Sequence, residues 1–590
     1  MRSVLFILMA SSFLFSCGNN QEENSPTGRS AGLDSIFSNY WEGRMRLFPV
    51  EATATGDNRY NDQLPVTISE GYREKTRAFY QGCLDQLNTF KGDMNEDDKI
   101  SKELLEYELK NNLDGLKFPS HLIPINQFWS FTLEFPQLGS GTGNQPFKTV
   151  TDYENFAQRM KLFPAWADTA ISNMRKGISL GYVLPRTLAM KIIPQLKGVI
   201  NSDVSKSIFY EPVKNMPGTF SIEDKKKLDS LYTFLISDAI HPAYGKLLGF
   251  FEKDYLPACR ETHGVSALPD GKEYYQFLIR NYTTTNLTPD SIYNLGLKEV
   301  AFLKSEMEKV KEEVRFDGSL QDFFSFVNKD RQFYPFKTAN EVLDSFWAIK
   351  KIEDPYLKKI FEKEPTTKFE IRQTEAYRAA SASAEYNAGS EDGTRPGIFY
   401  VPILNPTQFN IVGMETLFLH EAIPGHHYQI SLQQENNDLP KFRKFLGYSA
   451  YAEGWALYTE TLGKELGLYS NPYQYLGHLS DAMHRAIRLV VDVSIHTKNM
   501  SRDEAIKYMM DNERISKEEA TAEIERYMAI PGQALSYKIG QITISRMKEK
   551  YSKELGSKFN LASFHTQLLE GGNMPLEVLE KKLARWAKTY

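Results

Sequence analysis

Apolar residues recur with a helical period along much of this chain, and that pattern limits the folds open to it. It is clearest in four segments: 33–48, 224–240, 291–314 and 501–511. Ser501 with Glu504, and Ser516 with Glu519, have the spacing of a capping box, which marks the start of a helix. Strand patterns are sparse, and the best is Gly397–Val401, with a continuation towards residue 403. We therefore predict a mostly α-helical protein with a small β-sheet.

No segment rich in Pro, Gly and Ser divides the body of the chain into parts. The stretch 384–395 contains few large apolar residues, and we interpret it as a loop over a cleft. We expect residues 31–590 to form a single large helical domain with a deep cleft, and the sheet to lie beside the helix that carries the candidate site. The net charge of −5 gives no basic excess, which argues against a nucleic-acid partner. The oligomeric state stays open.

The N-terminus has the features of an export signal. Arg2 precedes a short apolar run over residues 4–15, which is too short to span a bilayer and is typical of a secretory signal peptide. The run ends in Leu-Phe-Ser-Cys at residues 14–17, which resembles the lipobox of bacterial lipoproteins. The resemblance implies removal of residues 1–16, lipidation of Cys17 and a polar tether over residues 17–30. The alternative is a plain signal peptide that happens to end at Cys17.

We therefore expect a protein that is exported and anchored by lipid to the bacterial cell envelope, at the periplasmic face or the cell surface. The remaining cysteines, Cys83 and Cys259, have no neighbouring pattern that suggests a metal site. Outside the cytoplasm they would form one disulfide, or they are two buried thiols.

Three of the ten histidines fall within residues 420–427, which read His-Glu-Ala-Ile-Pro-Gly-His-His. A preceding apolar helix face, at Met414, Leu417 and Phe418, would carry His420 and Glu421 into the interior. Burying a carboxylate without a partner is costly, so this pair needs a metal ion or a polar partner. A polar cluster without metal is the alternative.

The spacing of these histidines is unusual for a metal site. In the zinc motif His-Glu-x-x-His, two histidines four residues apart share one helix face, and the Glu activates water. On a regular helix His426 would point away from His420, and His427 would lie about 10 Å further along the axis. A shared metal therefore requires an irregular helix. Pro424 breaks the hydrogen-bond pattern, and Gly425 permits a bulge that returns His426 to the second ligand position.

A third ligand is available on the next helix, Ser449–Glu460. Glu453 follows His426 by 27 residues, which leaves room for a loop and a returning helix. Gly454 and Ala456 keep this helix slim, as close approach of a second helix would require. Glu460 is two turns further on, so we expect it to support the ligands or to lie on the surface. For Glu453 the alternative is a salt bridge on a helix surface.

A second candidate region is the helix over residues 473–498. It repeats polar residues at four-residue spacing: His484, Arg488, Asp492 and His496. The stripe would either line a cleft, with Arg488 binding a peptide carboxylate, or form a salt-bridged solvent face. Tyr400, on the predicted strand, is a further candidate for substrate binding, and the strand would bind an extended substrate if it lies at the sheet edge. His427 would line the substrate site or form a hydrogen bond.

Several of these segments together resemble the bacterial domain-of-unknown-function family 885, many of whose members are predicted lipoproteins. The resemblance rests on residues 48–56, 395–401, 420–429, 451–458 and 531–540. That family is similar to the helical zinc peptidases that include angiotensin-converting enzyme, thimet oligopeptidase and the carboxypeptidase of Taq type. Alignment by Gly-His implies zinc at His420, His426 and Glu453. The present sequence differs from those peptidases by two extra residues between the two histidines.

The expected function is zinc-dependent hydrolysis of short peptides, in a carboxypeptidase or oligopeptidase mode. Glu421 would take the proton of the attacking water and pass it to the leaving amine. By resemblance, Tyr537 would stabilise the oxyanion, with Pro531 and Gly532 opening its helix. Arg488, His427 and Tyr400 would contact the substrate. The alternatives are a non-catalytic lipoprotein that binds peptide or metal, and a zinc hydrolase of another amide or ester.

Overall fold

A computed structural model describes residues 30–375, 383–390 and 395–590. The fold is mostly α-helical with one small three-stranded sheet, as predicted. The predicted signal peptide (1–16), Cys17 and the tether up to residue 29 lie outside the described residues. Among the helices that are described, none has both the length and the apolar character needed to cross a bilayer.

Helices make up most of the described chain before the sheet. They are α1 (Ala31–Leu47), α2 (Pro49–Ala54), α3 (Glu70–Thr89), α4 (Glu96–Gly115), α5 (Phe131–Leu138), α6 (Val150–Leu180), α7 (Arg186–Val199), α8 (Glu211–Lys214), α9 (Ile222–Leu235), α10 (His241–Phe250), α11 (Leu256–Ala258), α12 (Gly271–Thr283), α13 (Pro289–Glu313), α14 (Leu320–Lys329) and α15 (Ala339–Ile360). Two π-helical turns, Ile236–Ile240 and Phe251–Tyr255, join α9 to α10 and α10 to α11.

The sheet and the helices that carry the candidate site follow. The strands are β1 (Phe369–Gln373), β2 (Glu385–Asn387) and β3 (Gly397–Val401). The helices are α16 (Met414–Glu421), α17 (His426–Glu435), α18 (Lys441–Phe445), α19 (Ser449–Glu460), α20 (Pro472–Thr497), α21 (Arg502–Asn512), α22 (Lys517–Ala529), α23 (Leu535–Leu555), α24 (Leu561–Leu569) and α25 (Leu576–Ala587).

The four segments with helical periodicity are helical in the structure. They correspond to α1, to α9 with its following π-helical turn, to α13 and to α21. The side chains of Ser501 and Ser516 accept hydrogen bonds from the backbone N–H groups of Glu504 and Glu519, and both capping boxes are complete. Local side-chain chemistry therefore decides where these helices begin.

The sheet differs from the prediction in two respects. Its strand order is β1-β3-β2, so β3 lies in the centre, parallel to β1 and antiparallel to β2. Substrate pairing along β3 was expected only if β3 lies at the sheet edge, and this condition is not met because both sides of β3 already pair with protein. Strand β2 lies inside the stretch 384–395 that we interpreted as a loop, and β3 ends at Val401 rather than at residue 403.

Large apolar clusters hold the site helices in place. One contains Phe418 of α16 and Trp455 of α19, and a second contains Met483 and Ile487 of α20. A third, rich in aromatic rings, lies within residues 64–255. Burial of these side chains is the main source of stability for helices of this kind.

Both cysteines in the described part of the chain are free thiols. Cys83 is buried in the cluster that includes Phe418, whereas Cys259 packs against the aromatic cluster of residues 64–255. The disulfide alternative is therefore wrong. Burial raises the pKa of each thiol to about 11, which disfavours the reactive thiolate.

Helices α19 and α23 approach each other closely beside Glu453. Gly454 of α19 meets Gly540 of α23, and a Cβ atom placed on Gly540 would lie 1.9 Å from the carbonyl oxygen of Ala450. A larger residue would force the helices apart. The slim helix surface that the sequence predicted next to Glu453 is thus occupied by a second helix.

Candidate metal centre

The chain breaks its helix immediately after Glu421. Helix α16 ends at this residue, α17 begins at His426, and the Ile423–Pro424 peptide bond between them is cis. A Cβ atom on Gly425 would lie 1.9 Å from the carbonyl oxygen of His420, so only glycine allows this return of the backbone. The irregularity predicted at Pro-Gly is therefore a break between two helices and not a bulge within one.

Contacts from α19 hold the break in position. Trp455 donates a hydrogen bond from Nε1 to the carbonyl oxygen of Pro424, at 2.9 Å. The hydroxyl of Thr459 donates to the carbonyl oxygen of Leu419, at 2.9 Å. Both acceptors are backbone groups at or beyond the end of α16, where intrahelical partners are lacking. Helix α19 therefore supplies both Glu453 and the support for the histidine segment.

His420, His426 and Glu453 converge at one point. One possible ligand atom from each lies within 4.8 Å of the other two. The Oε2 atom of Glu453 is 3.5 Å from His420 Nε2 and 3.8 Å from His426 Nε2. Ligand atoms around a tetrahedral zinc are about 3.4 Å apart, so this spacing and donor set suit zinc. The side chain of Glu453 is 23% exposed and that of His426 13%, so solvent reaches the cluster.

Glu460 orients the first histidine. Its buried carboxylate accepts a hydrogen bond from His420 Nδ1 at 2.7 Å, which leaves Nε2 facing Glu453. A carboxylate behind a histidine is the usual support of a metal ligand. Burial alone would lower the pKa of His420, but hydrogen bonds to Glu453 and Glu460 raise it well above its usual value. Burial would raise the pKa of both carboxyl groups, and the adjacent histidines hold them below their usual range.

Glu421 lies beside the cluster without taking part in it. Its side chain is half-buried and forms no hydrogen bond with any residue in the described part of the chain. Its charge acts on both His420 and His426. A carboxylate that is close to the ligands and free of partners is available to accept a proton.

His427 points away from the cluster. It is buried, its Nδ1 lies 2.9 Å from the hydroxyl of Tyr386 on β2, and its ring packs against Phe369 on β1. Burial lowers the pKa of His427 to about 4. The prediction that His427 contacts substrate does not fit this position, because the ring joins α17 to the sheet.

Tyr400 also lies apart from the metal residues. Its neighbour Phe399 packs towards Phe418 of α16, and successive strand side chains point to opposite faces. Tyr400 therefore lies on the face away from α16, where its side chain interacts with Arg372 of β1. Its predicted contact with substrate is not supported by this orientation.

The polar stripe of α20 is buried instead of solvent-exposed. Arg488 donates from Nη2 to Glu523 at 3.0 Å and from Nε to the hydroxyl of Tyr527 at 3.0 Å. Asp492 and His496 are fully buried and bond to neighbouring backbone groups. The solvent-face alternative is therefore wrong. Arg488 is already neutralised by Glu523, which weakens its predicted role in binding a substrate carboxylate.

Tyr537 lies in the first turn of α23, one turn before the close contact at Gly540. Its ring stacks under the Arg488 guanidinium, with 4.6 Å between Cζ and the ring centroid. Its hydroxyl is 3.5 Å from Nη2 of Arg526. Helix α23 begins at Leu535, so Pro531 does not open it as predicted, and Gly532 instead donates its N–H to Asp492.

Three polar residues of α20 near the metal cluster were not singled out from the sequence. His478 Nδ1 is 3.8 Å from Glu460, and Asp481 and Arg485 lie on the same side of the helix. Arg485 contributes to the low pKa of both Glu453 and Glu460. The spacing of three and four residues was a usable signal, because it repeats polar groups on one face of a largely apolar helix.

Replacing Glu460 with Gln should weaken zinc binding by about 10- to 100-fold, because His420 loses the charge that orients and polarises its ring. Zinc affinity measured by competition with a chromophoric chelator would test this. Glu513→Gln is the matched control, since Glu513 forms a similar pair with His484, at 2.9 Å, outside the cluster. Equal loss of affinity in both variants would contradict the assignment of Glu460.

Comparison with known proteins finds solved structures with a similar fold. A predicted lipoprotein from Colwellia psychrerythraea is 26% identical, with a TM-score of 0.87 over 96% of this chain and 100% of the other. A predicted lipoprotein of unknown function from Shewanella oneidensis shares the fold at 20% identity, with a TM-score of 0.77 over 94% and 99%. No match is found among curated proteins. The sequence pattern of one family matches residues 49–583, and the chain therefore belongs to the family described as "Bacterial protein of unknown function (DUF885)".

Proposed function

We propose that this protein is a zinc-dependent hydrolase that cleaves peptide bonds in short peptides. The observation that carries the proposal is the convergence of His420, His426 and Glu453, with the unpartnered carboxylate of Glu421 beside them. Two imidazoles and one carboxylate are a ligand set of catalytic zinc sites, which keep a further position open.

The residues of the chain have separable roles in this proposal. His420, His426 and Glu453 would hold zinc, and Glu460 fixes the tautomer of His420 so that Nε2 is free to bind. When bound, zinc supplies a Lewis acid that polarises a carbonyl group and lowers the pKa of water towards about 7. Partial exposure of Glu453 gives solvent and substrate access to this point.

Proton transfer is assigned to Glu421. Its carboxylate takes a proton from the attacking water and delivers it to the leaving amine, which would otherwise depart as an unstable anion. Tyr537 is the candidate donor of a hydrogen bond to the oxyanion, because its helix packs against the helix of Glu453.

The choice of a peptide substrate rests on the resemblance of the motif segments to helical zinc peptidases. The proposed location is the cell envelope, with a lipid anchor at Cys17. The lipobox-like residues 14–17 support this, as do two structural neighbours that are described as predicted lipoproteins.

Metal content tests the proposal directly. Purified residues 18–590 should contain about one zinc per chain by mass spectrometry, and His426→Ala and Glu453→Ala should lose it, because two ligands hold zinc far more weakly than three. Glu465→Ala is the control, since Glu465 is a surface carboxylate near the same helix. A wild-type protein that stays free of metal after incubation with zinc and dialysis would overturn the proposal and favour a binding lipoprotein.

A further inference from the structure

Arg514, which follows α21, is a largely buried arginine without an ion pair among the described residues. It forms neither a hydrogen bond nor an ion pair with any residue that the structure describes, and its Nη1 atom is buried. Burial lowers the pKa of Arg514 below its usual value. Desolvating a guanidinium without an ion pair is unfavourable, so the position of Arg514 is not explained by a gain in stability.

Arg485 on α20 is only weakly paired. Among the described residues its single ion pair is a 3.4 Å contact with Asp481, and its buried Nε atom has no hydrogen-bond partner there. Asp481 is also the acidic residue that interacts electrostatically with Arg514. Asp481 therefore interacts with both guanidinium groups, and each of them keeps a buried nitrogen without a hydrogen-bond partner among the described residues. Arg488, on the same helix, contrasts with them because Glu523 balances it.

Asp481 and Arg485 continue the face of α20 on which His478 lies 3.8 Å from Glu460. Asp481 interacts electrostatically with His420 and Glu460 as well as with the arginines. Arg485 interacts with Glu453. The side chains of Asp481 and Arg485 are 40% and 21% exposed, so dissolved molecules can reach both.

We propose that Arg485 and Arg514 form a subsite that binds a carboxylate of the substrate next to the scissile bond. The inference rests on the proposed hydrolase function and names its substrate class, which is short peptides with a free C-terminal carboxylate. Guanidinium groups bind carboxylates through two parallel N–H···O bonds, and each arginine has a buried nitrogen whose hydrogen-bonding capacity no described residue meets. The enzyme would then act as a carboxypeptidase. An acidic side chain near the scissile bond offers the same chemistry from another source.

Three versions of one peptide test the subsite: a free C-terminal acid, the C-terminal amide, and the amide with Glu as its last residue. Wild-type enzyme should cleave the acid with a kcat/KM at least about 100-fold above that of the plain amide, since the amide leaves the arginines unpaired. Arg514→Gln should reduce this ratio by at least about tenfold, mainly through KM. Arg485→Gln should reduce the ratio in the same way. The zinc content of this variant is measured as well, because Arg485 interacts with the metal residue Glu453.

Arg546→Gln is the matched control, because Arg546 is an exposed surface arginine on α23 that pairs with Glu580. It should keep the wild-type ratio. A preference for the Glu-terminated amide over the plain amide, lost in Arg514→Gln, would support the carboxylate subsite with a side chain as the source. Equal cleavage of acid and amide by the wild type, or a wild-type ratio in Arg514→Gln, would overturn the proposal.

Binding separates failure of the subsite from failure of the hydrolase function. Calorimetric titration of the zinc-loaded Glu421→Gln protein should give tighter binding of the acid than of the amide, and Arg514→Gln in that background should remove the difference. If no peptide is cleaved but this difference is present, the subsite stands and the hydrolase function fails. If the two peptides bind equally, the subsite is wrong whatever the protein hydrolyses.

Discussion

Glu421→Gln should lower kcat for peptide hydrolysis by about 10²- to 10⁴-fold, the contribution expected of a general base. Glutamine has the same shape but cannot take a proton from water. Zinc content should stay at the wild-type level, because Glu421 is not among the three converging ligands. Steady-state kinetics and metal analysis on the same preparations would measure both quantities.

Glu465→Gln provides the comparison, since that carboxylate is exposed and pairs with Lys548. A Glu421→Gln protein with wild-type turnover would exclude Glu421 as the base. A variant that loses its zinc would instead assign Glu421 to supporting the metal. Only an inactive protein with its zinc in place agrees with the proposed role.

Acidification from pH 7 to pH 5 should lower the free energy of unfolding by about 4 kcal/mol through two buried histidines. His496 Nδ1 accepts the N–H of Val265 and Nε2 donates to the carbonyl oxygen of Tyr527. His565 Nδ1 donates to the carbonyl oxygen of Ile360 and Nε2 accepts the hydroxyl of Tyr458. Each ring is held neutral, and a second ring proton would break one of these bonds.

The pH window follows from the pKa values. Burial lowers the pKa of both His496 and His565 to about 3, from about 6.5 in the unfolded chain. Between these values the unfolded chain binds more protons than the folded protein. The contribution is therefore complete above pH 6.5 and is lost as the pH falls towards 3, at about 2 kcal/mol per histidine by pH 5.

Urea unfolding of the metal-free protein at pH 7, 6 and 5 would measure this loss without a contribution from metal release. His565→Gln should reduce the loss between pH 7 and pH 5 by about 2 kcal/mol, since it removes the contribution of this group. Lys507→Gln is the control, because Lys507 is an exposed residue that pairs with Asp511 and keeps its charge between pH 7 and pH 5. The same free energy of unfolding at pH 7 and pH 5 would contradict the prediction.

The sequence by itself determined most of the helical framework. Apolar periodicity and capping residues act over one or two turns, so they predicted α1, α13 and α21 without knowledge of the rest of the chain. The same local reasoning located the break at Pro424-Gly425 and selected His420, His426 and Glu453. Those three were accessible because unusual residue types in a fixed spacing are a local signal.

Tertiary structure decided which way each side chain faces. His426 and His427 are adjacent in sequence, and only the path of the backbone past the carbonyl oxygen of His420 directs one to Glu453 and the other to Tyr386. The central position of β3 depends on where two distant strands pair.

Charge pairing depends equally on distant parts of the chain. Arg488 forms an ion pair with Glu523 on α22, whereas Arg514 forms none with a described residue, and neither fact can be deduced from neighbouring residues. Periodicity places a residue on a helix face, but which face is buried, and against what, is set by packing and electrostatics between segments that are far apart in sequence.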